Sequence, residues 1–379
     1  MKPSVLQLTT CLEPGGAEQM ILSLARELAP RCDLTVAFLR GPGRLAPAFA
    51  AMGVRVVAVG LDRGRIPGGL YRLALLFRKG RFDLVHTHLF HAGLLGRVFA
   101  RIARVPAIVH TQHNTLTWET GSAILARANR ISLRMADRVI AVGSRVAEVL
   151  EARGGVPPER IALVHNGVDC ARFHPGRDRA YAQSVLALPP DGPLIGAVAG
   201  FRPEKGHDTL IEAMILVRKA VGDARLLLIG DGPLRGKIER KIARRALAAC
   251  VTLAGARDDV DRLIPACDVI ALPSWQEGIP VSALEAMACA VPVVATDVGG
   301  TTEVVEHGRT GLVVPPGDSR ALARAMIELL RAPETARALG KEGRTRVMAR
   351  FDAAAMTENT ASVYDALLAA KGGPALVRH

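Results

Sequence analysis

The sequence predicts an α/β protein built from two halves, each with its own parallel sheet. The chain has 379 residues, more than one hydrophobic core usually holds. Both halves alternate short apolar, β-branched runs with amphipathic helical stretches, which is typical of parallel sheets covered by helices. A charged stretch with four prolines, residues 170–193, separates the halves and indicates a linker. We therefore expect two facing Rossmann-like domains with a ligand cleft between them.

The predicted strands are short apolar runs in both halves. In the first half they are residues 5–8, 34–38, 54–59, 84–86, 107–110, 138–142 and 161–164. In the second half they are residues 194–199, 225–229, 251–253, 269–272, 292–295 and 312–314. Helices such as 17–28, 89–103 and 144–153 lie between strands, and the chain is mostly helical after Ser319. Gly340 and Gly343 predict breaks in that last helical region.

The formal charge of +13 is concentrated in the first half of the chain. Residues 1–180 hold 25 Lys and Arg against 13 Asp and Glu, 25 − 13 = +12, which leaves +1 for residues 181–379. This asymmetry favours an anionic partner, either a membrane surface or a phosphate-bearing acceptor. Nucleic acid is not expected, because aromatic residues are only 4% and no recognised binding motif occurs. An arginine-rich composition throughout the proteome is the alternative explanation.

Two further features bear on membranes and compartment. Residues 70–81 form a basic amphipathic stretch that fits an anionic lipid surface, although such a helix more often packs on its own sheet. No apolar run is long enough to span a bilayer, and the first residues read as a strand rather than a signal peptide. Six scattered cysteines without a C-x-x-C pair argue against zinc and disulfides. We expect a cytoplasmic protein, with a peripheral location on the inner face of the cytoplasmic membrane left open.

Two carboxylates eight positions apart, Glu277 and Glu285, are the most informative feature of the sequence. Glu277 lies in a loop with Gly and Pro, and Glu285 lies on the helix that follows. Eight residues are a little over two helical turns, so both carboxylates can face one ligand. Carboxylates accept hydrogen bonds from vicinal hydroxyls, which indicates a sugar or a ribose as that ligand.

Two strand–helix junctions carry features suited to phosphate. Gly15 and Gly16 follow the first strand, where glycines allow close approach and a helix start offers free N–H groups. Arg202 and Lys205 precede Gly206 at the first junction of the second half, where cationic side chains suit a diphosphate. An ordinary glycine turn and a solvated basic loop are the alternatives.

The glycine-rich segment 230–236 and the histidines of the first half match no complete functional motif. Residues 230–236 fail the G-x-G-x-x-G fingerprint, so we expect a tight turn around Gly232 with Pro233 as the first helical residue. No P-loop string occurs. Five histidines cluster in the first half without metal-ligand spacing, and most are expected to be structural. His113, just past a strand end, is the one expected to contact substrate.

Taken together, these motifs resemble the retaining glycosyltransferases of family 4, which have the GT-B fold. The resemblance covers almost the whole chain and rests on the joint order of six motifs. They are G-G-A-E at 15–18, D-x-V-H-x-H at 83–88, N-G-V-D at 166–169, P-E-K-G at 203–206, G-D-G-P at 230–233 and E-x7-E at 277–285.

The resemblance implies a role for each matched residue. Glu285 would bind the ribose hydroxyls of the donor, and Glu277 would bind hydroxyls of the transferred sugar. Lys205 would bind the diphosphate, and His113 would contact the donor sugar near the reacting carbon. The family usually places an arginine five residues before the lysine, at Gly200 here, so Arg202 is the expected substitute. The other donor-binding positions implied are Gly15, Gly16, Gly232, Gly278, Ile279 and Pro280.

The implied reaction is transfer of a hexosyl or N-acetylhexosaminyl group, with retention, from a nucleoside-diphosphate sugar to an acceptor hydroxyl. A UDP-sugar is favoured as co-substrate, and neither a cofactor nor a metal is expected. The expected acceptor is a glycan or glycolipid of cell-envelope polysaccharide or lipopolysaccharide biosynthesis. The implied domains are residues 1–175 on the acceptor side, 190–350 for the donor, and a helical segment, 351–379, packing back on the first domain.

Two alternatives remain open at this point. One is a nucleotide-sugar epimerase on the same architecture. The other is a non-catalytic nucleotide-sugar-binding subunit, which the missing arginine at Gly200 keeps open although the carboxylate pair and Lys205 argue against it.

Overall fold

The chain folds into two compact units. The structure, a computed structural model, describes residues 2–62, 64–115, 122–176, 179–188 and 191–377. The first unit comprises Met1–Gly167 with Ala353–His379, and the second comprises Val168–Asp352. Two of the predicted linker prolines, Pro189 and Pro190, lie outside the described residues.

The strands follow the predicted runs closely. They are β1 (Ser4–Thr9), β2 (Asp33–Phe38), β3 (Arg55–Ala58), β4 (Leu84–His88), β5 (Ala107–Gln112), β6 (Arg138–Ala141), β7 (Ile161–Leu163), β8 (Leu194–Val198), β9 (Arg225–Ile229), β10 (Val251–Gly255), β11 (Val269–Leu272), β12 (Val293–Thr296) and β13 (Gly311–Val314).

The helices lie between these strands and at the end of the chain. They are α1 (Gly16–Leu28), α2 (Ala46–Ala50), α3 (Ile66–Gly80), α4 (Phe90–Ile102), α5 (Ala123–Leu133), α6 (Ser144–Val149), α7 (Arg179–Leu186), α8 (His207–Ala220), α9 (Arg235–Arg244), α10 (Val260–Leu263), α11 (Val281–Ala288), α12 (Thr301–Val304), α13 (Ser319–Arg331), α14 (Pro333–Arg350) and α15 (Ala353–Ala370). Among the described residues, no helix combines the length and apolar character needed to span a bilayer.

Each unit holds one parallel sheet, and the two sheets share a strand order. Within the described ranges, the first sheet runs β3-β2-β1-β4-β5-β6-β7 and the second runs β10-β9-β8-β11-β12-β13. The order reverses between β1 and β4 in the first sheet and between β8 and β11 in the second. Ligands of doubly wound sheets bind at the carboxyl ends of the strands beside this reversal. The predicted pair of parallel α/β domains is confirmed.

Aspartates fix the register of the central strands in the same way in both units. Asp83 precedes β4, and its Oδ2 accepts a 2.8 Å hydrogen bond from the backbone N–H of Ser4 at the start of β1. Asp268 precedes β11, and its Oδ2 accepts a 2.8 Å bond from the N–H of Leu194 at the start of β8. The amino ends of the central strands are therefore tied together, which places their carboxyl ends side by side.

The last helix completes the core of the first unit. Tyr364 and Leu368 of α15 are fully buried in the same hydrophobic cluster as Ile21 and Leu24 of α1. The chain after Asp352 thus belongs to the first unit, although it follows the whole of the second in sequence.

The predicted break at Gly340 and Gly343 is wrong, because α14 runs through both residues. A Cβ atom on Gly340 would stand 2.1 Å from the carbonyl oxygen of Ala290, and one on Gly343 would stand 3.3 Å from Cγ of Met287. These glycines let α14 pack closely on α11 and the turn after it. The local helix-breaking tendency of glycine is outweighed by this tertiary contact.

Candidate active site

The reversal point of the second sheet brings Lys205 and Glu277 together. Lys205 lies in the loop after β8, and Glu277 lies in the loop after β11. Nζ of Lys205 donates a 2.7 Å hydrogen bond to Oε1 of Glu277, and Oγ of Ser274 donates a 2.6 Å bond to the same oxygen. Glu277 is buried. Two residues predicted from separate motifs thus form one ion pair at the edge where such sheets bind ligands.

Two glycines allow the loops around this pair to touch. Gly206 has φ +66°, and a Cβ atom there would stand 1.9 Å from the carbonyl oxygen of Pro273. Gly299 has φ +53°, and a Cβ atom there would stand 1.9 Å from the carbonyl oxygen of Glu277. Only glycine fits either position. The N–H of Trp275 also donates a 2.8 Å bond to the carbonyl of Glu204, which fixes the Lys205 loop to the Glu277 loop.

The carboxyl group of Glu285 is buried on α11, and among the described residues it accepts no hydrogen bond. Burial raises the pKa of Glu285 to about 7; the positive charge of Arg172 lowers it, and the negative charge of Asp261 raises it. Arg172 is held by Asp261, whose Oδ1 accepts a 2.8 Å bond from Nη2. A buried carboxyl group without a partner is suited to hydroxyl donors of a ligand.

The predicted backbone contacts lie between the two carboxylates. Gly278, Ile279 and Pro280 connect Glu277 to α11, and Pro280 is the residue that precedes the first turn of that helix. The carbonyl of Gly278 accepts a 2.8 Å bond from the N–H of Gly300, so this turn is fixed to the loop before α12. The positive end of the α11 dipole therefore lies next to the Glu277 loop.

Arg202 is exposed and directed toward the position of the missing family arginine. A Cβ atom on Gly200 would stand 3.9 Å from Nε of Arg202 and 3.7 Å from the carbonyl oxygen of Asp231. Both distances are ordinary van der Waals contacts, so position 200 has room for a Cβ atom, and the guanidinium group of Arg202 lies beside it.

Gly232 lies against the same loop. The N–H of Phe201 donates a 2.9 Å bond to the carbonyl of Asp231, and the N–H of Leu234 donates a 3.0 Å bond to the carbonyl of Phe201. The carbonyl of Leu234 accepts the first helical hydrogen bond, from the N–H of Ile238 at 2.9 Å, so Leu234 is the N-cap and α9 begins at Arg235. The prediction that Pro233 is the first helical residue is therefore wrong.

The remaining predicted residues lie in the first unit. Gly15 precedes α1 and Gly16 is its first residue, both after β1. His113 follows β5, and its Nε2 lies 3.2 Å from Nδ1 of His88. Nδ1 of His113 is buried and has no hydrogen-bond partner among the described residues. Burial lowers the pKa of His113 to about 3, so the ring is neutral at physiological pH.

Sequence reasoning missed three residues that support the site. Ser274 could have been found, because a hydroxyl three positions before a glutamate often bonds locally. Gly299 and Arg172 are separated from Glu277 and Glu285 by strands and helices, and no local pattern indicates them.

Comparisons with known proteins agree with the fold and with the predicted family. A model described as Glycosyltransferase Family 4 matches residues 14–172, and one described as Glycosyl transferases group 1 matches residues 192–332. The D-inositol 3-phosphate glycosyltransferase of Thermobispora bispora is 30% identical over 93% of this chain and 90% of its own length. The D-inositol 3-phosphate glycosyltransferase 2 of Catenulispora acidiphila is 31% identical over the same shares, 93% and 90%.

Solved structures match along nearly the whole chain. Sucrose-phosphate synthase from Thermosynechococcus elongatus is 26% identical, with a TM-score of 0.82 over 97% of this chain and 100% of that one. Anabaena Alr3699/HepE in complex with UDP-glucose is 24% identical, with a TM-score of 0.86 over 96% and 99%.

The fold and these relatives define a glycosyltransferase of the GT-B class. Within that class, the chain belongs to glycosyltransferase family 4, as its motifs predict. Its relatives are named as transferases, so neither the epimerase nor the non-catalytic subunit is favoured.

Proposed function

We propose that this glycosyltransferase moves a sugar from a UDP-sugar to a hydroxyl of a phosphate-bearing acceptor, with retention at the anomeric carbon. The observation that carries the proposal is the grouping of Lys205, Glu277 and Glu285 around the reversal point of the second sheet. This grouping supplies a cation for the diphosphate and carboxylates for sugar and ribose hydroxyls.

Each residue is proposed to do one task. Glu285 accepts hydrogen bonds from the ribose hydroxyls, and Glu277 accepts them from the transferred sugar, next to the N–H groups of Gly278 and Ile279. Lys205 and Arg202 balance the charge that develops on the departing diphosphate. Binding in this arrangement also holds the anomeric carbon in a reactive orientation.

The names of similar proteins support the choice of substrates. HepE was solved with UDP-glucose, which favours a uridine nucleotide as donor. The relatives from Thermobispora and Catenulispora are named for D-inositol 3-phosphate, an acceptor that combines hydroxyls with a phosphate. The excess positive charge of residues 1–180 favours an acceptor of this anionic kind.

A glycolipid or polysaccharide of the cell envelope is the second candidate acceptor. The side chains of Ile124 and Ile131 on α5 are exposed, and Arg127 and Arg130 are exposed on the same helix. Apolar side chains beside arginines suit a peripheral contact with an anionic membrane. Cosedimentation with phosphatidylglycerol vesicles, compared with phosphatidylcholine vesicles and with Ile124→Glu, tests this candidate; equal recovery in all three would contradict it.

Product analysis tests the proposed reaction. Purified enzyme is incubated with UDP-glucose or UDP-N-acetylglucosamine and with D-inositol 3-phosphate, unphosphorylated inositol or lipid acceptors, in the presence and absence of EDTA. We expect transfer to the phosphorylated acceptor, an α-configured product by NMR and no loss with EDTA. An inverted product or transfer only to lipid would contradict the corresponding part of the proposal.

A further inference from the structure

A guanidinium group is buried between α4 and α5 of the first unit. The side chain of Arg97, on α4, has no exposed surface. Its Nη2 donates a 2.6 Å bond to Oδ1 of Asn129 and a 2.7 Å bond to Oγ of Ser132, and its Nε donates a 3.3 Å bond to the same hydroxyl. Asn129 and Ser132 are three positions apart on α5, so they face α4 from one side of that helix.

These contacts leave two buried donors unpaired. Nη1 of Arg97 and Nδ2 of Asn129 are shielded from solvent, and neither has a hydrogen-bond partner among the described residues. Turning the amide of Asn129 over would not help, because its NH2 group would then face the guanidinium, donor against donor. Buried donors without a partner are rare in folded proteins, and they indicate an acceptor that the polypeptide itself does not supply.

The positive charge of Arg97 also lacks a counter-charge in the described part of the chain. Its hydrogen bonds go to an amide and a hydroxyl, which are both neutral. Burial lowers the pKa of Arg97 to about 9, so the guanidinium stays protonated at neutral pH. Burial, followed by the charge of Arg97, holds the pKa of the adjacent His110 well below its ordinary value, so that imidazole is neutral. A buried charge strongly destabilises a fold unless an opposite charge accompanies it.

Gly93 provides the space in which Nη1 lies. It precedes Arg97 by about one turn of α4. A Cβ atom on Gly93 would stand 2.7 Å from Nη1 of Arg97 and 2.7 Å from Cε1 of His110 on β5. Any larger residue at position 93 would therefore push the guanidinium away from β5. The glycine lets the unpaired end of the side chain remain between the helix and the sheet.

We propose that Arg97 and Asn129 bind a small monovalent inorganic anion of the chloride type, which accepts hydrogen bonds from Nη1 and Nδ2. One guanidinium balances one negative charge, whereas a phosphate dianion would leave a buried excess of negative charge. The bound ion pairs with one donor from α4 and one from α5, so it stabilises the packing of the two helices. This site is separate from the Lys205 and Glu277 pair, and its role is structural.

Thermal unfolding of the full chain tests whether such an ion stabilises the protein. Sodium chloride is compared with sodium gluconate at equal ionic strength, because gluconate is too large for a buried site of this kind. A tenfold excess of chloride over its dissociation constant should raise Tm by about 3–6 °C relative to gluconate. Equal Tm values in the two salts would overturn the proposal.

Asn129→Asp supplies the negative charge from the chain itself. The carboxylate has nearly the shape of the amide, pairs with the guanidinium and removes the unpaired NH2 group. This variant should melt above wild type in gluconate, and its Tm should no longer depend on chloride. Asn359→Asp is the matched control, because Asn359 is exposed on α15 of the same unit, and it should keep the chloride dependence of wild type. An undiminished dependence in Asn129→Asp would show that chloride acts elsewhere.

Bromide locates the ion directly, because it replaces chloride and scatters X-rays anomalously. Crystals of the full chain grown in bromide should show an anomalous peak within hydrogen-bond distance of Nη1 of Arg97 and Nδ2 of Asn129. Crystals of Asn129→Asp should lack that peak. A water molecule at this position without anomalous signal, or bromide on the protein surface alone, would overturn the assignment of the site.

Discussion

Nζ of Lys205 lies 2.7 Å from Oε1 of Glu277, although the two residues are 72 positions apart in the chain. The pair exists because β8 and β11 are neighbours at the reversal point of the second sheet, which brings the loops after them together. In the proposed reaction the diphosphate competes with Glu277 for Lys205. Until the donor binds, the ion pair holds the lysine side chain in place.

Lys205→Ala should lower kcat about 100-fold, the loss typical of removing one group that stabilises transition-state charge. Steady-state kinetics with the donor and acceptor found by product analysis measure the change. The control is Lys237→Ala, because Lys237 pairs with Asp208 at 2.8 Å on the exposed face of the second unit. Wild-type turnover in Lys205→Ala would remove Lys205 from the mechanism.

Glu285→Gln should stabilise the ligand-free protein above pH 7. Burial raises the pKa of Glu285 from 4.5 to about 7, so between these pH values the folded protein holds a proton that the unfolded chain has lost. The free energy of unfolding therefore falls as pH rises across this interval, by up to about 3 kcal/mol at 1.36 kcal/mol per pKa unit. Glutamine has no ionisable group, so the free energy of unfolding of Glu285→Gln should not fall in this way as pH rises.

Chemical denaturation at pH 5 and pH 8 measures this effect. The free energy of unfolding of Glu285→Gln should exceed that of wild type at pH 8, and the difference should be small at pH 5. Glu328→Gln is the matched control, because Glu328 is exposed on α13 of the same unit. An equal gain at both pH values, or none, would show that burial of Glu285 does not carry this free-energy cost.

Gly206→Ala should impair both stability and activity. The alanine would adopt an unfavourable positive φ, and its Cβ would stand 1.9 Å from the carbonyl oxygen of Pro273. Strain of this kind costs about 1–3 kcal/mol, and its relief would move Lys205 away from Glu277. Gly222→Ala is the control, since a Cβ there has no neighbour within 4 Å. Thermal melting and turnover that match the control would contradict the tight loop contact.

Arg202→Ala should weaken binding of UDP about tenfold and leave binding of uridine unchanged, because the lost interaction is a charge-assisted hydrogen bond to phosphate. Adding Gly200→Arg to this variant should restore UDP affinity, because a Cβ atom at position 200 stands 3.7 Å from the carbonyl oxygen of Asp231, an ordinary contact, and the new guanidinium supplies the lost charge. Titration calorimetry measures the affinity of each variant for UDP and for uridine. Equal losses for UDP and uridine would indicate that Arg202 does not act through the diphosphate.

The sequence predicted the fold well, because strands buried on both faces appear as continuous apolar runs. The run at residues 269–272 is an example, since β11 spans Val269–Leu272 and is buried at every position. Gly340 and Gly343 misled the prediction because their role is set by Ala290 and Met287, residues far away in the chain.

The site could be predicted only in part. Lys205, Glu277 and Glu285 could be predicted, because each lies in a short motif whose residue types indicate its chemistry. The contact between Lys205 and Glu277 follows from strand order, which a single sequence does not specify. Gly299 shows the limit most clearly, because it allows close contact with the carbonyl of Glu277 and no local pattern relates the two loops.

Calorimetric titration of UDP tests the central claim most directly, that the second unit binds a nucleoside diphosphate through Glu285. Wild type, Glu285→Ala and the exposed control Glu328→Ala are compared, with GDP, ADP and TDP as competing nucleotides. The account predicts that UDP binds wild type and Glu328→Ala equally, binds more tightly than the other nucleotides, and loses about tenfold or more of its affinity in Glu285→Ala. Undiminished binding of UDP to Glu285→Ala would contradict it.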